Sequence, residues 1–342
     1  MRRYPAEWET QSGIQLTWPH DKSDWAPMLD EVEPVFIQIA LHICVRQKLL
    51  LVCRDAAHQQ YVQLLMANAG VDGQQVCYYL QDSNDTWARD HGPISIEEDG
   101  KPLLLDFIFN GWGNKFDATL DNALTPALYK LGAFNDTKVE THRFVLEGGG
   151  LETDGEGTLL TTRHCLLSPQ RNPQYNEAEI ALFLQNTLGI KRILWLTHGH
   201  LEGDDTDSHI DTLVRFGGPT KLIYVACDDQ NDEHYADLKA MEDELTQFTT
   251  MAGELYELLP LPWPQPIYDN EGQRLPASYA NFLVINGAVL VPTYRDEADQ
   301  QALNVIRQGY PQHEVFGIDC LPLIHQYGSL HCVTMNYING IL

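Results

Sequence analysis

The feature that most constrains this chain is a recurrence of strand, helix and strand about every 60 residues, roughly five times over its 342 positions. Apolar residues at three- and four-residue steps predict one helix through Leu29, Val32, Phe36, Ile39 and Ile43. They predict another through Leu238, Met241, Leu245, Phe248 and Ala252, stopped by Gly253. Asn176 with Glu179 makes a capping-box start for a helix carrying Ile180, Phe183 and Leu184. Weaker helices are expected over 121–131 and 296–307. A strand-like run follows each helix: Leu49–Cys53, Val139–Leu146, Arg192–Thr197, Leu255–Leu259 and Glu314–Ile318. Further strands precede the later helices: Thr158–Thr162, Thr212–Phe216 with Leu222–Ala226, and Ala280–Ile285 with Ala288–Pro292. The last two pairs turn at Gly217-Gly218 and Asn286-Gly287. Five such units can pack side by side and close a ring. An open α/β sheet with hairpin insertions would leave a similar trace.

The polar residues fall at one phase of this repeat. Four runs stand out: Asp85–Pro93, Leu146–Gly150, Glu202–Asp211 and Gly328–Asn336. Asp90 to Glu147 is 57 positions, Glu147 to His209 is 62, and His209 to Cys332 is 123, two steps of the same length. In a closed ring, equivalent phases meet at one end of the axis. A thiol, an imidazole and several carboxylates would then share one pocket.

Charge narrows what such a pocket takes. With 22 Lys+Arg against 48 Asp+Glu, the formal charge is −26, which repels nucleic acid and anionic lipid and attracts cations. A hydrophobic content of 44% supplies a large core and excludes wholesale disorder. Length alone suggests two domains, but α/β rings run longer, and the chain is read as one domain over 1–342. No apolar run approaches the ~18 residues of a membrane span, and Met1–Pro5 leads into polar sequence with no signal-like core. The seven cysteines are scattered with no Cys-x-x-Cys pair, which points to a reducing, cytoplasmic setting and no zinc knuckle. Gly148–Gly150 match neither a P-loop nor a dinucleotide fingerprint, and instead suit close backbone approach at a turn. The 202–211 run lacks the alternating pattern of an EF-hand. Neither metal nor cofactor is expected.

Several motifs, in this order and spacing, resemble the agmatine deiminase and Porphyromonas-type peptidylarginine deiminase family of the guanidino-group-modifying (pentein) superfamily. They are Trp87-x-Arg89-Asp90-x-Gly92-Pro93, Phe109-Asn110-Gly111-Trp112-Gly113-x-Lys115, Glu147-Gly148-Gly149, His209-Ile210-Asp211 and His331-Cys332-x-Thr334. The likeness implies a five-bladed α/β-propeller of ββαβ units with its site on a pseudo-fivefold axis. It also implies a homo-oligomer, taken as a dimer, and a place in putrescine and polyamine metabolism.

With that resemblance, Cys332 is expected to attack a guanidinium carbon and form a thiouronium-type adduct. His209 would protonate departing ammonia and then activate water. Asp90 and Asp211 would accept the guanidinium N–H groups, whose fork geometry matches a carboxylate. Glu147 would orient His209 and favour its charged form. Trp87, Trp112 and Asp205 are candidate substrate contacts, the two tryptophans serving equally as core filling. The six other cysteines are expected to tolerate Ala with changes in stability alone.

The expected substrate is agmatine, a guanidine with a second cation and no carboxylate. Free arginine would need a basic residue for its carboxylate, which Arg89, Arg163 or Arg295 could supply, and arginine within peptides is the other alternative. A Cys-His-Asp peptidase or amidase leaves the carboxylates at 90 and 211 without a task. A polyamine-binding protein without catalysis is the remaining class.

Overall fold

The computed structural model describes residues 1–342. Its strands form five separate sheets, each built from a hairpin, a crossover and a strand parallel to the hairpin's second member. The first sheet orders Thr334–Ile338, Gln11–Thr17, Lys48–Cys53 and Val76–Leu80. Its opening hairpin pair is thus made by the two ends of the chain, with Thr334 opposite Leu16 in an antiparallel ladder. The second orders Arg2–Arg3, Ile94–Glu98, Lys101–Ile108 and Lys138–Val145; the third Glu152–Thr153, Thr158–Thr162 and Arg192–Leu196. The fourth orders Val214–Phe216, Lys221–Val225 and Glu257–Leu261; the fifth Leu283–Ile285, Ala288–Thr293 and Glu314–Asp319.

The crossover helices follow the sequence pattern where burial drives them. Leu29–Cys44 buries Val32, Val35, Phe36, Ile39 and Ile43 on one face. Glu177–Leu188 carries the anticipated capping box and ends at Gly189 in the left-handed region. Two expectations need correction. The helix expected to run to Ala252 spans only Tyr235–Leu245, because the Thr246 hydroxyl turns back onto the Asp243 carbonyl and Ala252 is exposed. The strand after it accordingly starts at Glu257 rather than Leu255. The helix Ala56–Asn68 escapes the periodicity test because only Val62 and Met66 are buried. It delivers the extra parallel strand Val76–Leu80 to the edge of the first sheet. No helix is long and apolar enough to cross a membrane.

This plan places the chemistry. In all five units, the segment just before the hairpin's first strand carries a polar residue into the interior: Cys332, Asp90, Glu147, His209 with Asp211, and Asn281.

Candidate active site

The five segments touch one another. The Arg89 N–H donates to the Cys332 carbonyl at 3.1 Å, and the Gly149 N–H donates to Asp90 Oδ1 at 3.0 Å. Asp90 Oδ1 lies 3.6 Å from His209 Nδ1. Asn281 Oδ1 accepts from the His331 N–H at 2.9 Å and from the Cys332 thiol at 3.4 Å. His209, Asp211, Glu147 and Asn281 are fully buried, and Asp90 and Cys332 nearly so. Sequence reasoning missed Asn281. The two-step gap between His209 and Cys332 was the available signal, since it leaves one unit without a representative. Gly149 has no room for a side chain: a Cβ there would stand 2.5 Å from His209 Nδ1 and 2.8 Å from Asp90 Oδ1.

Burial raises the Cys332 thiol well above its ordinary range, and the charges of Asp211 and Asp90 add to this. Burial likewise raises Asp90, against the opposing pull of His209. For Asp211, burial is outweighed by a 2.7 Å hydrogen bond from His331 Nδ1, so its carboxyl is held below the usual range. Burial alone would lower His209. Asp90 and then the surrounding Cys165 and Glu147 reverse the sign and hold the imidazole well above its ordinary value, favouring the protonated form.

Glu147 is placed differently from the triad-like role expected of it. Both its oxygens accept from Arg171 Nε, at 2.9 and 3.1 Å, and no hydrogen bond joins it to His209. The fully buried Arg171 also reaches Asp207 at 2.5 Å and the Thr206 carbonyl at 2.7 Å, clamping the loop that carries His209. Lys115 Nζ holds the same loop through Asp207 at 2.8 Å. Glu147 therefore acts on His209 by charge at short range. Cys165, expected from the sequence to be a core filler, has its sulfur within 4.8 Å of a Glu147 oxygen and a His209 ring nitrogen.

Above the sulfur opens a pocket lined by Asp24, Asp85, Asp90, Asp204 and Asp205, with Trp87, Trp112, Phe116 and Tyr327 as aromatic walls. No lysine or arginine lines it. Of the expected substrate contacts, Trp87, Asp90, Trp112 and Asp205 do line it, while Asp211 does not and reaches the thiol through its charge. The Trp112 indole N–H donates to Asp90 Oδ2 at 2.9 Å, which makes that side chain more than core filling. It gets there through a left-handed turn, Gly111–Asn114, in which Trp112 itself sits at φ 54°. Asn114, Asp207, Ser208 and Tyr327 also adopt positive φ around the pocket. Each such non-glycine residue costs about 1–2 kcal/mol, and strain of this kind persists where the surroundings enforce a functional geometry.

A profile of the Porphyromonas-type peptidyl-arginine deiminase family matches residues 3–337. Agmatine deiminase of Stutzerimonas stutzeri is 31% identical, the match covering 96% of this chain and 94% of that one. Among solved structures, a cysteine-to-serine variant of C. jejuni agmatine deiminase with substrate bound has a TM-score of 0.92. Its identity is 38%, over 100% of this chain and 98% of that one. A Porphyromonas gingivalis protein described as a candidate arginine deiminase reaches a TM-score of 0.94 at 50% identity, covering 100% of both chains. With the motif resemblance, the site geometry and these likenesses in agreement, the chain belongs to the Porphyromonas-type peptidyl-arginine deiminase family.

Proposed function

We propose that the protein is an agmatine deiminase, hydrolysing agmatine to N-carbamoylputrescine and ammonia. One observation carries the reading: Asp211 Oδ1 is a buried acceptor without a donor, its charge bears on Cys332, and Cys332 lines a pocket whose charged residues are all acidic. An ionised carboxylate left this way is costly, and a guanidinium N–H would satisfy it. The acidic rim of Asp24, Asp204 and Asp205 suits a second cation at the far end of the substrate, and the bare aromatic walls suit the methylene chain between. Free arginine would bring a carboxylate to that rim.

In this reading Asp90 and Asp211 hold the guanidinium with its carbon over Cys332. The thiolate attacks, a C–S bond forms, and the C=N electron pair moves onto nitrogen. His209 gives its proton to the leaving nitrogen, the C–N bond breaks and ammonia departs, leaving the thiouronium-type adduct. The neutral imidazole then takes a proton from water as it adds to the same carbon, and the C–S bond breaks to restore the thiolate and release the ureido product, the remaining hydroxyl proton passing to solvent. Asn281 Oδ1 holds the nucleophile's hydrogen before it ionises.

We further infer that the five sheets stand as blades around a pseudo-fivefold axis, with residues 1–342 as one deiminase domain. Pairing of the chain's first and last long strands, and the common origin of the five site segments, support this. Seven unpaired cysteines fit a reducing cytoplasm. A substrate panel tests the function. Ammonia release should be fastest from agmatine, with arginine and a peptide-borne arginine far slower and neutral amides inert. Preference for a peptide arginine would overturn the choice of substrate.

A further inference from the structure

His331 precedes the nucleophile, and no step above uses it. Its ring is buried with both nitrogens engaged: Nδ1 lies 2.7 Å from Asp211 Oδ2, and Nε2 lies 2.8 Å from Glu7 Oε2. Ionised carboxylates only accept, so each ring nitrogen faces an acceptor. Glu7, from the start of the chain, is itself fixed. Arg215 reaches the same oxygen at 3.1 Å and Arg89 at 3.6 Å, while Glu7 Oε1 accepts from the Val284 N–H at 2.7 Å. Burial would raise the Glu7 carboxyl, but His331 and Arg215 hold it well below the usual range. Arg215 is shared with Glu152 at 2.8 Å.

The consequence falls on Asp211. One oxygen is fixed by His331, while the other is buried without a partner. We propose that His331, anchored by Glu7, is a positioning residue that turns Asp211 so that its unpartnered oxygen faces the substrate guanidinium. An ion network with a purely structural purpose would engage both carboxylate oxygens, as Glu152 does with Arg215 Nε on one and the Phe216 N–H on the other. The inference rests on the deiminase reading.

Two near-isosteric substitutions separate positioning from scaffolding. The amide of His331→Asn falls near Nδ1 and can still donate to Asp211, whereas that of His331→Gln falls near Nε2 and reaches only Glu7. Each removes one buried charged contact, so thermal unfolding should show similar losses for both. In steady-state agmatine turnover, His331→Gln should raise KM at least about tenfold, the scale of one charge-assisted hydrogen bond to substrate, and His331→Asn by less than about threefold. Equal KM values for the two variants, or a parent-like KM in His331→Gln, would overturn the proposal. Should His331→Gln fail to fold, Glu7→Gln replaces it, with KM expected to rise at least about threefold at nearly constant kcat; an unchanged KM would again refute. A parent enzyme that releases no ammonia from agmatine would sink the deiminase reading itself, a result distinct from an active parent whose variants fail to separate.

Discussion

Binding of a guanidinium should lower the pH at which Cys332 ionises. In the empty site the thiol is held high by burial and by Asp211 and Asp90. The buried groups explain why. Asp90 and Asp211 already bring negative charge to bear on the sulfur, and His209, held toward its protonated form, is drawn on by Asp90 and Glu147. One more anion has no counter-charge until substrate brings it. A unit charge at ~4 Å contributes on the order of 4 kcal/mol at an effective dielectric of about 20. At 1.36 kcal/mol per pKa unit that is about three units before screening, and a third of it would still be measurable. The perturbation is saturation with a non-reactive amidine of agmatine's length, and the assay is ultraviolet thiolate absorbance against pH, with Cys332→Ser as blank. The titration should move down by at least about one unit on binding. Asp90→Asn should lower the free-enzyme value and abolish turnover together. Identical titrations with and without the cation would refute the reasoning in favour of a preformed thiolate–imidazolium pair.

Three further predictions concern the surroundings of the site. Gly149→Ala should fold yet lose nearly all turnover, because the new methyl would enter the space between His209 and Asp90; activity within about tenfold of the parent would contradict the packing. Cys165→Ala should lower kcat with little change in KM, while Ala at Cys44, Cys53, Cys77, Cys227 or Cys320 alters melting alone; an unchanged kcat would show that the sulfur beside His209 is only filler. Asp121, raised to about 8 by burial and then by the charge of Asp85, is a carboxyl whose folded pKa exceeds its unfolded one. The folded state then binds the extra proton between pH ~4 and ~8, and stability falls as pH rises through that window. Asp121→Asn should therefore gain more melting temperature at pH 9 than at pH 5, and equal gains would refute the assignment.

What could be read from the sequence was the part written in local pattern. The Asn176 capping box, the Asn286-Gly287 turn and the even spacing of Asp90, Glu147, His209 and Cys332 each depend on neighbours in sequence, and the structure bears out the first two and brings the four residues together. What escaped depends on contacts across hundreds of positions. Glu7 meets His331 and Arg215, and Arg171 meets Glu147, through pairings that no local spacing encodes. Asn281 is an ordinary amide until its unit is aligned with the other four. The left-handed turn at Gly111–Asn114 lies within a sequence motif, but nothing in its residue types announces that Trp112 bears the strain and reaches Asp90. Helix Ala56–Asn68 was invisible because two buried side chains are too few to make a period.

The central claim is that Cys332 forms a covalent adduct with the guanidine carbon. Acid quenching of agmatine turnover within a few milliseconds, followed by mass spectrometry of the peptide containing Cys332, tests it most directly. The account predicts that this peptide gains the mass of agmatine less ammonia, that Cys332→Ala shows neither adduct nor turnover, and that Cys332→Ala still binds agmatine. An unmodified Cys332 during steady turnover, or more than a few per cent of parent activity in Cys332→Ala, would contradict it.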